Sequence, residues 1–159
     1  MGAFVASAPA LAAAPPAEDI VAGDGFWPEV SIAAFRDAQR IGNDVTDARA
    51  RDALRGAILH VRRELLAWAT LQLAAGSLRL GDVGSAMIDG IAAAELLYRR
   101  AVYCAAAADL AETHNTVSAT GDGRDRALED VSAADELRRN ATHAIRDILG
   151  VTRTSVELI

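Results

Sequence analysis

The chain has 159 residues and a mass of 16.6 kDa, which fits one domain with tails and excludes a second catalytic domain. Hydrophobic residues make up 52% of the sequence and charged residues 24%, so the chain can bury a core and is not disordered overall. The formal net charge is −6 and all 16 positive charges are Arg, which argues against a broad DNA-binding face and removes mechanisms that need a Lys.

The amino-acid composition favours helices that pack closely on one another. Aromatic residues make up 4% of the chain, whereas 36 residues are alanine. We therefore predict an all-α fold, a small antiparallel bundle of about four helices with an extended N-terminal arm and an extended C-terminal tail. The expected divisions are a flexible Ala/Pro-rich arm at 1–25, a helical domain at 26–150 and the tail at 151–159.

The first two predicted helices each follow a hydroxyl residue suited to an N-cap. Ser31 precedes a short helix that ends near Arg40, and Thr46 precedes a long helix from about 47 to 75. In the long helix, apolar residues recur at every third or fourth position and predict one packed seam, made of Leu54, Ile58, Val61, Leu65 and Trp68. The opposite face is expected to meet water or a partner and carries Arg51, Arg55, Arg62 and Glu64.

The second half of the sequence predicts two further helices. A turn-rich connection at 76–90 leads into residues 91–113, which are apolar nearly all round and are typical of a central helix. Residues 118–125 are rich in Gly and Asp and predict a loop. A last helix is expected from about 126 to 149, where Gly150 stops it.

The sequence lacks the residue patterns of common catalytic and metal sites. Its three histidines, His60, His114 and His143, are not at ligand spacing and none follows a Glu in a Glu-x-x-His pattern. Cys104 has no histidine within a helical turn, which favours a small buried hydrophobe. No stretch of 18 apolar residues occurs, and residues 1–22 lack the positive start of a signal peptide. We expect no enzyme activity, cofactor, metal or membrane span.

Pairs of adjacent arginines are the most informative charged features. A guanidinium at the edge of an apolar helix needs a carboxylate or a backbone acceptor. The pairs are Arg62-Arg63, Arg99-Arg100 and Arg138-Arg139. Two alternatives stay open for their partners, namely carboxylates of the same chain and carboxylates of a neighbouring subunit.

The last nine residues carry five β-branched side chains and no helix signal. These side chains belong to Val151, Thr152, Thr154, Val156 and Ile159. A short segment of this kind either adds as a strand to another chain or lies in a groove, and the alternative is a frayed terminus.

An ordered set of motifs covering residues 26–159 resembles one family. The motifs are Phe26-Trp27-Pro28, Ser31 to Arg36, Val45-Thr46-Asp47 with Arg49, the Trp68 region, Leu80 to Val83, Ile88-Asp89-Gly90, Tyr98 to Tyr103, Ile145 to Gly150 and Arg153 to Ile159. Together they are similar to the head completion protein L (GPL) family of peduovirus-like temperate phages with contractile tails. None of them is a catalytic signature, so the likeness depends on their order and spacing.

The resemblance implies a virion structural protein. Such a protein would bind the portal after DNA packaging, extend the DNA channel, stabilise the filled head and offer a docking surface to neck and tail proteins. Its partners would be the portal protein, neighbouring copies in a ring, and a downstream neck or tail-terminator protein. Connector proteins of this broad type form twelve-fold rings. The expected place is the virion neck, after assembly in the host cytoplasm, with packaged DNA passing through without sequence-specific binding.

Under this interpretation, the arginine pairs belong to the interface between subunits. The tail residues expected to bind the portal are Arg153, Thr154, Val156, Glu157, Leu158 and Ile159. The main alternative is a helical adaptor or packaging chaperone that stays outside the virion. A DNA-binding module is a weaker alternative, because the chain is acidic and has no basic recognition helix.

Overall fold

Four helices and two short antiparallel ribbons form the part of the chain that the structure describes. The computed structural model describes residues 19–115 and 123–151, with side chains for 19–113 and 132–151. In chain order the elements are β1 (Ile20–Val21), β2 (Val30–Ser31), α1 (Ile32–Gln39), α2 (Asp47–Ala74), a 3₁₀ helix (Leu80–Asp82), β3 (Met87–Ile88), β4 (Ile91–Ala92), α3 (Ala93–Asn115) and α4 (Gly123–Ile148). The predicted all-α class with four helices is confirmed.

Three sequence predictions fall on residues outside those described. These are the arm before residue 19, the part of the expected loop at 118–122, and the tail at 152–159. None of the helices that the structure describes is long and apolar enough to cross a bilayer.

Two polar side chains begin α1. The Ser31 hydroxyl accepts a hydrogen bond from the Ala34 N–H at 3.1 Å, which confirms the predicted N-cap. The Asp19 carboxylate accepts from the Ser31 hydroxyl at 2.8 Å and from the Ala33 N–H at 3.0 Å. Asp19 reaches this helix end because β1 pairs antiparallel with β2. Part of the segment assigned to the arm, residues 19–25, therefore packs on the helical domain.

The longest helix, α2, packs by the seam that its sequence predicts. Its large buried residues are Leu54, Ile58, Val61 and Leu65, whereas Trp68 is half-buried. Four alanines lie beside them in the core, at Ala50, Ala53, Ala57 and Ala69. Small side chains at these positions let the neighbouring helix approach closely. The helix ends with Gly76 at φ 97°, where the Ser77 N–H donates to the Gln72 carbonyl at 3.1 Å.

The predicted central helix, α3, is confirmed as the element that joins the others. It packs against α1, α2 and α4, whereas α2 and α4 make few contacts with each other. Its buried residues are Tyr98, Ala101, Val102, Cys104, Ala106, Ala107, Ala108 and Leu110. Because α2 and α4 both lie on α3, a groove remains between them.

The connection before α3 contains more structure than its composition predicts. It holds the 3₁₀ helix and a hairpin in which β3 pairs with β4. The hairpin turn is Asp89-Gly90, and both residues have positive φ, 51° and 76°. An Asp-Gly turn of this kind matches the twist of a two-residue hairpin. The helix therefore begins at Ala93, and the expectation of a helix from Ile91 was wrong by the length of β4.

The last helix begins earlier than predicted and ends as predicted. Residues 123–125, expected in a loop, form the first turn of α4. The Gly-rich composition of this segment predicted a loop and so concealed the start of the helix. At the other end Gly150 has φ 69°, and the Val151 N–H donates to the Arg146 carbonyl at 2.9 Å. This pattern closes the helix with a left-handed glycine.

Candidate assembly surfaces

Arg62 lies at the centre of a cluster that fixes residues 24–27 to the bundle. Its Nε donates to the Tyr98 hydroxyl at 3.1 Å, and its Nη1 donates to the Asp24 carboxylate at 3.1 Å. The guanidinium carbon lies 5.8 Å from the centre of the Trp27 ring, which stacks on Tyr98 at 4.8 Å. Asp24 also accepts the Trp27 N–H at 3.1 Å. This cluster joins α2, α3 and the segment before β2.

The burial of Arg62 differs from the sequence expectation. Residues Arg51, Arg55, Arg62 and Glu64 were expected on one solvent-facing side, yet the Arg62 side chain is only 21% exposed. The Arg51 guanidinium also turns inward and donates to the Ile20 carbonyl at 2.9 Å. Two long arginines thus reach over the edge of α2 and hold the N-terminal segment. Burial also raises the pKa of the Tyr98 hydroxyl, and the Arg62 contact opposes that effect.

The adjacent arginine on the same helix has a different environment. Arg63 is exposed, and its Nη2 lies 3.3 Å from His60 Nδ1. No carboxylate among the described residues pairs with it. Arg62 therefore points into the chain while Arg63 points into solvent, and the structure separates the roles of this pair.

The arginines of α3 divide in the same way. Arg99 donates to the Glu95 carboxylate at 3.2 Å, one turn earlier on the same helix. Arg100 is exposed and has no ion pair among the described side chains. The intrachain alternative left open by the sequence thus applies to Arg99, with a partner on its own helix.

On α4, Arg138 forms ion pairs within the described part of the chain, whereas Arg139 does not. Arg138 forms an ion pair with Glu112 of α3 and lies 3.7 Å from Asp135 on its own helix. The hydrogen bond with Glu112 raises the pKa of Arg138. Arg139 is exposed, with no ion pair in the described part of the chain. Arg63, Arg100 and Arg139 are thus the members of the three pairs that form no ion pair with any described side chain.

The groove between α2 and α4 has a floor of small residues. It encloses about 700 Å³. Ala53, Ala57 and Ala105 line it, and charged side chains from all three helices stand at its edges. Among the described residues, no group of three or more His, Cys, Asp or Glu side chains lies where it could hold a metal ion. Burial raises the pKa of the Cys104 thiol, which keeps it in the unreactive neutral form.

Several leucines near the C-terminal end of α2 are exposed, and Leu66, Leu73 and Leu78 line one groove that Leu71 does not share. Leu66, Leu71, Leu73 and Leu78 are all exposed. They fall within residues 65–78, a stretch of 14 residues without one charged side chain. A stretch of this length without a charged residue is the feature of the sequence that could have indicated this exposed apolar surface. Exposed apolar side chains lining a groove are typical of protein-interaction surfaces and of ligand grooves.

Comparison with known proteins places these surfaces in context. A family model described as "Phage head completion protein (GPL)" matches residues 21–159. The chain is 32% identical over 142 residues to the head completion/stabilization protein of Escherichia phage P2, covering 89% of this chain and 84% of that protein. It is 28% identical over 142 residues to the probable head completion/stabilization protein of Haemophilus phage HP1 (strain HP1c1), covering 89% and 93%. No solved structure matches the chain.

Proposed function

Because this chain belongs to the phage head completion protein (GPL) family and has a structural role in the phage particle, we propose that it binds the portal after DNA packaging and closes the filled head. The observation that carries this proposal is the extent of the family match. It begins at Val21, inside β1, and continues to Ile159. The described helices and the C-terminal tail thus all lie in the region shared with head completion proteins.

The proposed assembly is a ring of identical subunits, in which one face of each copy contacts a different face of the next. The exposed arginines support it, because a guanidinium can bind a carboxylate of a neighbouring copy through two hydrogen bonds. Arg100 and Arg139 suit this role better than Arg99 and Arg138, whose charges are used inside the chain. A twelve-fold ring, as in other connectors, is the expected size.

The acidic net charge suits a subunit that surrounds passing DNA. A strongly basic wall would bind phosphates and resist the exit of the genome. With a net charge of −6, contacts with the DNA backbone are weak and sequence-independent. The subunit is therefore proposed to extend the portal channel in the virion neck and to offer its far side to a neck or tail-terminator protein.

The C-terminal tail is the proposed contact with the portal. The described chain leaves the bundle through Gly150 and the exposed Val151, immediately after the end of α4. Residues 153–159 then supply apolar, hydroxyl and charged side chains in a short segment. Once one tail holds a subunit on the portal, the next subunit meets both a portal site and a neighbour, so the effective concentration of each later contact rises.

Truncation of the tail tests this proposal directly. We expect the variant that lacks residues 153–159 to remain folded, because the described helices end before them. It should fail to enter DNA-filled heads and fail to bind purified portal protein. A matched control carries the same seven residues in reversed order and separates sequence-specific binding from tail length. Normal incorporation of the truncated chain would refute the proposed role of the tail.

Mass spectrometry of purified infectious particles separates the proposal from its main alternative. A virion protein of a ring is expected in a fixed ratio to the portal protein. A packaging chaperone or adaptor would be present in infected cells and absent from mature particles. Absence of the chain from particles would refute the proposed place in the neck.

A further inference from the structure

The first described residues form a strap that lies against α1 and α2. The strap consists of residues 19–25, which run from Asp19 through β1 to Gly25. Its first three residues are half-buried and the other four are exposed. Gly25 has φ 99°, and apart from its chain neighbours no atom lies within 4 Å of the position that a Cβ would take there. The strap therefore ends at a residue with free space around it.

Polar contacts hold the strap on the bundle. The Asp19 carboxylate accepts two hydrogen bonds at the start of α1, and the Arg51 guanidinium donates to the Ile20 carbonyl at 2.9 Å. The Arg62 guanidinium pairs with the half-exposed Asp24 at 3.1 Å. None of the strap side chains is buried. A segment with few buried apolar contacts and exposed ion pairs opens at a lower free energy than a packed core does.

The contact with Arg62 is incomplete. Its Nε donates to Tyr98 and its Nη1 donates to Asp24, whereas its Nη2 is buried without a hydrogen-bond partner. A buried donor without a partner costs free energy. Closing the strap on Arg62 therefore stabilises the chain less than a contact with two parallel hydrogen bonds would.

We propose that the strap is an electrostatic latch, which opens and closes while the helices stay folded. Asp19 and Asp24 supply its negative charges. Arg51 and Arg62 hold it from one side of α2, about three helical turns apart. Opening turns both guanidinium groups from the strap to solvent, where they can bind carboxylates of another molecule. Salt screens exposed charges, so the population of the open form rises with ionic strength.

Hydrogen exchange of single amides in the purified full-length chain, followed by NMR, tests the latch. The Ala33 N–H donates to Asp19 and lies in the first turn of α1, where it has no intrahelical acceptor. Its exchange therefore reports opening of the strap. The amide of the fully buried Val102 in α3 reports opening of the bundle. Exchange at Ala33 should become about threefold faster between about 0.05 M and about 0.5 M NaCl, with no change at Val102.

Substitutions on α2 and in the strap separate opening of the strap from fraying of α1. Arg51→Ala leaves the Asp19 contact in place and should speed exchange at Ala33 about tenfold. Asp24→Asn removes the charge that faces Arg62 and should reduce the response to salt. The matched control is Arg63→Ala, at an exposed arginine of the same helix, and it should change neither quantity.

A reversible cross-link tests the latch in the opposite direction. Val21 of β1 and Val30 of β2 are partners in the antiparallel ribbon, so cysteines at these positions are placed to form a disulfide. The cross-linked chain also carries Cys104→Ala, which removes the native thiol. Oxidation of the Val21→Cys, Val30→Cys pair should slow exchange at Ala33 and remove its response to salt. Reduction should restore both.

The latch and the role in the virion can fail separately. Changes at Ala33 without changes at Val102 support independent opening of the strap. Exchange at Ala33 that does not respond to salt, to Arg51→Ala or to oxidation of the cysteine pair would overturn the latch. That result would leave the proposed function intact, because the measurements use the isolated chain.

Discussion

Replacement of Arg62 is the sharpest test of how this fold holds together. The Arg62→Ala variant removes the hydrogen bond to Tyr98, the ion pair with Asp24 and the contact over the Trp27 ring. It also leaves the hydroxyl of Tyr98, a fully buried residue, without that donor. We therefore expect a loss of folding stability, whereas the adjacent Arg63 should contribute almost nothing.

The size of the effect follows from the contacts. A hydrogen bond from a charged donor contributes about 1.5–3 kcal/mol. The ion pair adds about 0–1 kcal/mol because Asp24 is 53% exposed, and the contact with Trp27 adds about 0.5–1 kcal/mol. Against these, the Nη2 of Arg62 is buried without a hydrogen-bond partner, and its removal regains about 1–3 kcal/mol. The expected net loss in the free energy of unfolding is about 2 kcal/mol.

Urea unfolding, followed by far-UV circular dichroism, measures this loss. Tyr98→Phe should destabilise the unaltered chain by about 1–2 kcal/mol but cost almost nothing in the Arg62→Ala background, since the two side chains form one contact. Arg63→Ala is the control and should change stability by less than about 0.5 kcal/mol. Equal effects of Arg62→Ala and Arg63→Ala would refute the internal role of Arg62.

The remaining predictions concern the core, a helix end and pH. Leu65→Ala should lower the free energy of unfolding by about 2–5 kcal/mol, because Leu65 is fully buried. Leu66→Ala, at an exposed position, should change it by less than about 1 kcal/mol. The midpoints of urea unfolding for the two variants test this difference. Gly150→Ala should cost about 1 kcal/mol in the same assay, because φ is 69° there, and no loss would contradict the helix-end geometry. Burial raises the pKa of the Cys104 thiol above its ordinary 9.0, so the unfolded chain loses that proton first and stability falls as pH rises beyond 9.0. Cys104→Ala should reduce this loss of stability, which is measured as the difference between the unfolding midpoints at pH 8 and pH 10. An unchanged difference would contradict a raised pKa of the Cys104 thiol in the folded chain.

The helices themselves were predictable because their signals are local. The spacing of Leu54, Ile58, Val61 and Leu65 predicted the buried side of α2, and each of these residues is buried. Ser31 and Thr46 predicted two helix starts, and Gly150 predicted a helix end. Cap hydrogen bonds and apolar periodicity depend on residues a few positions apart, so the chain encodes them without its tertiary context.

Asp89-Gly90 was a sequence signal for the β3–β4 hairpin, whereas the β1–β2 ribbon was not predictable, because each of its strands has only two residues. A two-residue strand has too few positions for an alternating pattern. β1 forms where Asp19 meets the start of α1 and where Arg51 reaches the Ile20 carbonyl. Both contacts join residues far apart in sequence, and they brought residues 19–25 onto a domain that was expected to begin at 26.

For the candidate surfaces, too, the sequence predicted one part and the tertiary structure decided the rest. Sequence located the pairs Arg62-Arg63, Arg99-Arg100 and Arg138-Arg139, and the family likeness gave them an expected role between subunits. The structure shows which guanidinium of each pair has a partner within the chain: Arg62 and Arg138 contact residues of other elements, whereas Arg99 pairs with Glu95 one turn earlier on α3. Neighbours in sequence point 100° apart on a helix, so one finds a partner inside the chain while the other meets solvent. Composition and periodicity therefore determined the helices, and the contacts between helices decided which charges and leucines are available to another molecule.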